Sequence, residues 1–117
     1  MPQAEQDNII GRRLSDNKEL DDAPVSAHVK RTAQESFEPE DFVVRRSMPW
    51  ADKGGESLMF VAFGQSLDAF EAQLLRMAGQ EDGILDGLFR FSHPVSGSNF
   101  WCLPVRDGKL DISVLGF

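Results

Sequence analysis

Apolar residues occur in phased runs along the chain. Ile9 and Ile10 close a short helix predicted over Ala4–Ile10, which Gly11 would stop. Phe42, Val43 and Val44 open a strand predicted over Phe42–Met48 and ended by Pro49, followed by a hairpin-type connection over Ala51–Glu56 that contains Gly54-Gly55. Leu58–Phe63 is wholly apolar, so the pattern predicts a central strand buried on both faces. Leu67, Phe70, Leu74 and Met77 then recur at spacings of three and four, predicting an amphipathic helix with Ser66 as its N-cap, Asp68 complementing the helix dipole and Gly79 at its end. Ile84, Leu85, Leu88 and Phe89 suggest a second short helix within Glu81–Arg90. A turn over Pro94–Gly97 leads to a third strand over Asn99–Val105, carrying Phe100 and Trp101.

The resulting order is strand, hairpin, strand, helix, short helix, strand. This predicts an α+β layout with an antiparallel sheet and helices on one face. It resembles the last part of a ferredoxin-like β-α-β-β-α-β unit whose first strand and first helix are missing. The expected sheet is therefore incomplete and leaves an exposed edge. Residues 1–27 read as an irregular N-terminal segment with one short helix, residues 28–117 as the partial ferredoxin-like domain. Within the first part, Leu14–Ser26 is polar and acidic, and Asn17, Asp21, Asp22 and Pro24 all favour turns.

Composition narrows the class. The 117 residues suit one domain, and the net charge of −7 disfavours nonspecific binding to nucleic acid or to an anionic membrane. No run approaches the length of a membrane span, and MPQAEQDNII lacks the apolar core of a secretory signal, so a soluble, cytoplasmic chain is expected. The one cysteine, Cys102, cannot form an internal disulfide or a cysteine-only zinc site, and is expected to be a small buried hydrophobe.

Few residues could carry chemistry. There is no Walker-type glycine loop, no paired His-x-x-x-His or Cys-x-x-Cys, and no nucleophile-elbow motif. His28, in SAHVKRT, follows the long irregular segment, where ligand-binding groups are often placed. His93, in FSHPVSG, reads as an exposed turn residue. Arg45 and Arg46 alternate across the first strand, so one can face inward while the other stays in water; Val43, Arg45 and Ser47 share a face. An inward Arg45 is equally compatible with a buried salt bridge.

The segments GRRLSDNKELDDAPVSAHVKRT, FVVRRSMPWA, LMFVAFGQSLDAFEAQLLRMAG and DGLFRFSHPVSGSNFWCLPV together resemble the C-terminal part of dye-decolorizing (DyP-type) haem peroxidases, in order and near the family's spacing. The resemblance implies haem b as cofactor, and hydrogen peroxide and an organic reductant as substrates. It implies that His28, in S-x-H-x-x-R, is the proximal iron ligand. Arg45, in V-R-x-S-[ML]-P, is implied as the distal arginine that assists peroxide cleavage, with Ser47 lining the distal pocket and Phe60 on its wall. Asp86, in D-G-x-x-D-x-x-x-R-F, is implied as the acid that accepts a hydrogen bond from His28. Leu58, Phe60 and Met77 are candidates to pack on the porphyrin. The family's upstream G-x-x-D-G motif and N-terminal half have no counterpart here, so the resemblance implies a fragment, a partial reading frame or a partner for a separate first half. The alternatives are a non-catalytic ferredoxin-like module that assembles into a homo-oligomer through its open edge and its tail LDISVLGF, or a haem-handling module without peroxidation.

Overall fold

A computed structural model describes residues Met1–Phe117. Helix α1 (Gln3–Ile10) ends where Gly11 turns left-handed, at φ 89°, and its N–H bonds the Asp7 carbonyl. A Cβ on Gly11 would collide with Val29 Cγ2, so glycine also lets the end of α1 press against α2 (His28–Arg31), a single helical turn. Strands β1 (Val43–Asp52) and β2 (Gly55–Gly64) form an antiparallel hairpin, with Val43 opposite Gly64 and Asp52 opposite Gly55. Helix α3 (Asp68–Met77) follows, and a 3-10 turn at Gly87–Arg90 packs beside α1. Near the C-terminus a small ribbon pairs β3 (Val105–Arg106) with β4 (Lys109–Leu110). The architecture is α+β, an incomplete ferredoxin-like unit in which an antiparallel hairpin carries helices on one side.

Several local expectations are corrected. Strand β1 does not stop at Pro49 but runs on to Asp52. In a sheet of two strands each strand has a free edge, where a missing N–H is tolerated. Strand β2 is not buried on both faces. Leu58, Phe60 and Phe63 are all more than half exposed, on both faces of the hairpin, because no further strand flanks it and neither face is fully covered. The expected strand at Asn99–Val105 is irregular up to Pro104. Val105 instead pairs forward with Leu110 across Asp107-Gly108, both at positive φ, a hairpin-turn pair the sequence does carry. Cys102, on that irregular stretch, is exposed and not buried. Gly79 and Gly83, at φ 72° and 77°, turn the chain repeatedly and restrict the helix expected within Glu81–Arg90 to its last four residues, Gly87–Arg90.

The core is small. Eleven of the 117 residues are buried, with Ile9, Ala23, Ala27 and Phe37 its only apolar members. The accessible surface is 9356 Å², against roughly 6,300 Å² for a folded monomer of this mass. The radius of gyration is 17.2 Å, where about 13 Å is usual for this length. No helix is long and apolar enough to cross a membrane.

Candidate functional site

The site is built on α2. A turn at Pro24 delivers the chain to it, with the Ala27 N–H bonding the Pro24 carbonyl and Ala27 itself fully buried. His28 opens the helix. Its Nδ1 lies 2.8 Å from Oδ2 of Asp86, whose side chain is 0% exposed. The other carboxylate oxygen, Oδ1, accepts the Leu88 N–H at 2.8 Å and caps the 3-10 turn. A carboxylate offers only acceptors, so a neutral His28 must carry its proton on Nδ1. That leaves Nε2 with a bare lone pair, on a side chain that is 30% exposed. The geometry yields an oriented imidazole whose free nitrogen is accessible.

Around this pair the one-turn helix is tied at several points. The Gly87 N–H bonds the Ser26 carbonyl at 2.7 Å, and Lys30 Nζ reaches back to the Ala23 carbonyl. Thr32 caps the end of α2 twice, through its N–H and its hydroxyl, both to the His28 carbonyl. Arg31, 5% exposed, makes a bidentate pair with Asp82 and donates from Nη2 to the Arg76 carbonyl. That guanidinium bond, seconded by the Ile84 N–H, holds the Asp82 carboxyl well below its usual range, at about 2. Arg76 extends the network by pairing with Glu81, bonding Ser36 and stacking on the Phe37 ring.

Arg45 does not turn into the interior: like Arg46 it is exposed, and it makes no salt bridge. Its Nη1 donates to the Thr32 carbonyl at 3.1 Å and to Gln73 Oε1 at 3.4 Å, joining the hairpin to the end of α2 and to α3. Its Nε and Nη2 make no protein hydrogen bond and remain available to an oxygen-rich ligand. Ser47 sits directly opposite Phe60 in the register, and Arg45 opposite Ala62, so Arg45, Ser47 and Phe60 share one face of the hairpin. Hydrogen bonds thus connect Asp86, His28, α2, Thr32 and Arg45, while Ser47 and Phe60 join only through the shared sheet face. His93 is exposed, and so are Trp50 and Trp101.

Sequence reasoning missed Gln73. It is 7% exposed, accepts from Arg45 and donates to the Asp41 carbonyl at 3.1 Å. A signal was present, because Gln73 lies three residues after Phe70 and four before Met77 and so interrupts the apolar stripe of α3 with a polar group. Leu74 on the same helix and Leu67 just before it are exposed. His28 lines neither of two open concavities, one formed by C-terminal residues such as Arg106, Ile112 and Phe117, the other by α1, Pro24, Ser26, Gly87 and Arg90. No cluster of three or more metal-ligating side chains exists, so an ion here would need a ligand of its own.

Comparison with known proteins adds an independent line. Residues 1–107 match the model of the family described as "Dyp-type peroxidase, C-terminal". A dye-decolorizing peroxidase of Rhodococcus erythropolis is 31% identical over 113 residues, which is 92% of this chain and 33% of that protein. A dye-decolorizing protein from Vibrio cholerae superposes with a TM-score of 0.68 at 33% identity, covering 78% of this chain and 31% of that one. A dyp-type peroxidase protein from Shewanella oneidensis superposes with a TM-score of 0.69 at 33% identity, with the same coverage. The chain therefore spans about a third of the length of these relatives.

Proposed function

This chain belongs to the Dyp-type peroxidase family, and we propose that it is the haem-holding C-terminal part of a peroxidase that oxidises organic reductants with hydrogen peroxide. The observation that carries the reading is the His28–Asp86 pair: a fully buried carboxylate accepts a hydrogen bond from Nδ1–H and leaves the Nε2 lone pair free. Metal-ligating histidines are oriented in this way, because a second group that accepts the other N–H fixes the tautomer and raises ligand basicity.

The residues fit a haem in their donor chemistry. One free imidazole nitrogen would suit an iron whose other ligands come from a macrocycle. Exposed Leu58 and Phe60, on the Arg45 face, offer apolar contact for the porphyrin. The family resemblance points to haem b, and the single thiol of these residues suits a reducing, cytoplasmic setting. When bound, the haem supplies the iron chemistry that reduces peroxide at the expense of the reductant.

In this reading each side chain has a physical task. His28 would hold the iron through Nε2, while Asp86 keeps the ring from rotating and the proton on Nδ1. Arg45 presents its Nε and Nη2 donors to peroxide oxygen and stabilises negative charge as it develops there, a preorganised electrostatic effect. Ser47 supplies a hydroxyl and Phe60 an apolar wall on the same face. Residues 28–117 form the haem-holding unit, and residues 1–27 buttress α2 through Gly11 and Ser26.

The surface excess of roughly 3,000 Å² over a normal monomer supports action together with further protein, an N-terminal half or a second copy. The same excess favours, as a second reading, a non-catalytic assembly module. A haemin titration of the purified chain, followed at the Soret band, separates them. Stoichiometric uptake lost in His28→Ala is the expected result. A Soret shift unchanged in His28→Ala removes His28 as ligand, and a tight dimer in sedimentation without haemin uptake favours the module.

A further inference from the structure

Two side-chain pairs, one His–carboxylate hydrogen bond and one salt bridge, join the same two segments. Helix α2 contributes His28 and Arg31, three positions apart, and the turn after α3 contributes Asp82 and Asp86, four apart. At 3.6 residues per turn, His28 and Arg31 lie within about 60° of each other around the helix axis. A grip on one therefore sets the direction of the other. We infer that the Arg31–Asp82 pair is a clamp that positions His28, fixing the rotation of α2 so that Nδ1 meets Asp86 and Nε2 stays outward. This deepens the reading of His28 as an iron ligand and rests on it.

The local energetics explain why a clamp is needed. A helix of one turn has no stability of its own, because nucleation costs more than its few hydrogen bonds return. Its side chains do not compensate by apolar burial either, since Ala27 and Arg31 are the only buried residues between Ser26 and Arg31. The Thr32 and Ser26 carbonyl bonds fix the two ends of α2 in space but act on its backbone alone. Only Arg31 and His28 reach from its flank to the 82–86 turn. Arg31 also has nowhere else to go, because its Nε is buried without a partner and every bond it makes uses Nη1 or Nη2. Losing Asp82 would strand a buried charge, and the helix would rotate to bring it to water.

The test uses the full chain without haem, labelled with 15N, and reads the ring nitrogens of His28 by long-range 1H–15N correlation near neutral pH. The wild type should show the Nδ1–H tautomer. Asp82→Asn should lower its population severalfold at unchanged helix content, and Arg31→Lys, which keeps charge but loses the bidentate fork, should do so to a smaller degree. Glu81→Gln breaks the Arg76 pair in the same turn and should leave the ring spectrum as in the wild type. Haemin affinity should fall about tenfold in Asp82→Asn, as for removal of other groups that orient a metal ligand. An unchanged tautomer in both folded variants overturns the clamp, and so does an equal change in Glu81→Gln, which would mean general loosening. If Asp82→Asn does not fold, Arg31→Lys decides in the same way. If the tautomer shifts as expected while wild type and His28→Ala bind haemin equally, the clamp stands and the ligand reading falls.

Discussion

Asp86→Asn changes hydrogen-bond chemistry at a position with no access for water. The wild-type carboxylate serves two donors, Leu88 N–H on Oδ1 and His28 Nδ1–H on Oδ2, each at 2.8 Å. An amide has one acceptor oxygen and one NH2, so two donors compete for a single acceptor. If the oxygen keeps Leu88, the NH2 faces His28 and drives the imidazole proton from Nδ1 to Nε2, which removes the lone pair proposed for iron. If the amide flips, its NH2 abuts the Leu88 N–H, and leaving that buried donor unsatisfied costs about 1–3 kcal/mol. In both arrangements a charge-assisted bond of about 1.5–3 kcal/mol gives way to a neutral one of about 0.5–1.5 kcal/mol. The expected result is a loss of about 1–2 kcal/mol in urea unfolding followed by far-UV circular dichroism. Haemin affinity should fall about 10- to 100-fold in a Soret titration. Wild-type affinity in Asp86→Asn, with His28 still required, would refute this account of how the ring is oriented.

Two further outcomes follow from the same network. The carboxyl of Asp82 is held down at about 2, so its contribution to stability is complete above about pH 4, where the unfolded carboxyl is already ionised, and disappears as pH falls through 2. Urea midpoints of wild type and Asp82→Asn should therefore differ near pH 7 and converge between pH 4 and 2; a gap that persists below pH 2 contradicts the assignment. Gln73→Leu leaves the Asp41 carbonyl without its donor and removes one of the two acceptors of Arg45, and should cost about 1–3 kcal/mol. Thermal unfolding measures this, and an unchanged Tm would show that Gln73 carries no part of the tie.

The elements that sequence patterning located are those whose stopping signals are local. Gly11 ends α1, the helix repeat from Phe70 to Met77 marks α3, and Gly54-Gly55 marks the reversal of the hairpin. Burial was misjudged because it depends on what lies across from a residue. Leu58–Phe63 has the composition of a doubly covered strand, yet no further strand flanks it in this chain. The same gap explains Leu67 and Leu74, apolar and in phase but exposed. Within the site, the 58-residue separation of His28 and Asp86 carries no periodic signal. Their juxtaposition was legible only through family resemblance, whereas the shared face of Arg45 and Ser47 followed from strand alternation. The tie from Arg45 to the end of α2 was not legible, because its acceptor is a backbone carbonyl that no side-chain pattern encodes.

On the side of the hairpin opposite Arg45, Met48 and Met59 face each other across the strands, 44% and 53% exposed. Two accessible thioethers side by side are ready targets for any two-electron oxidant, and conversion to sulfoxide would turn this greasy patch polar. Oxidation would thereby chemically age this face of the hairpin, and sulfoxide reductases would be the route to its repair.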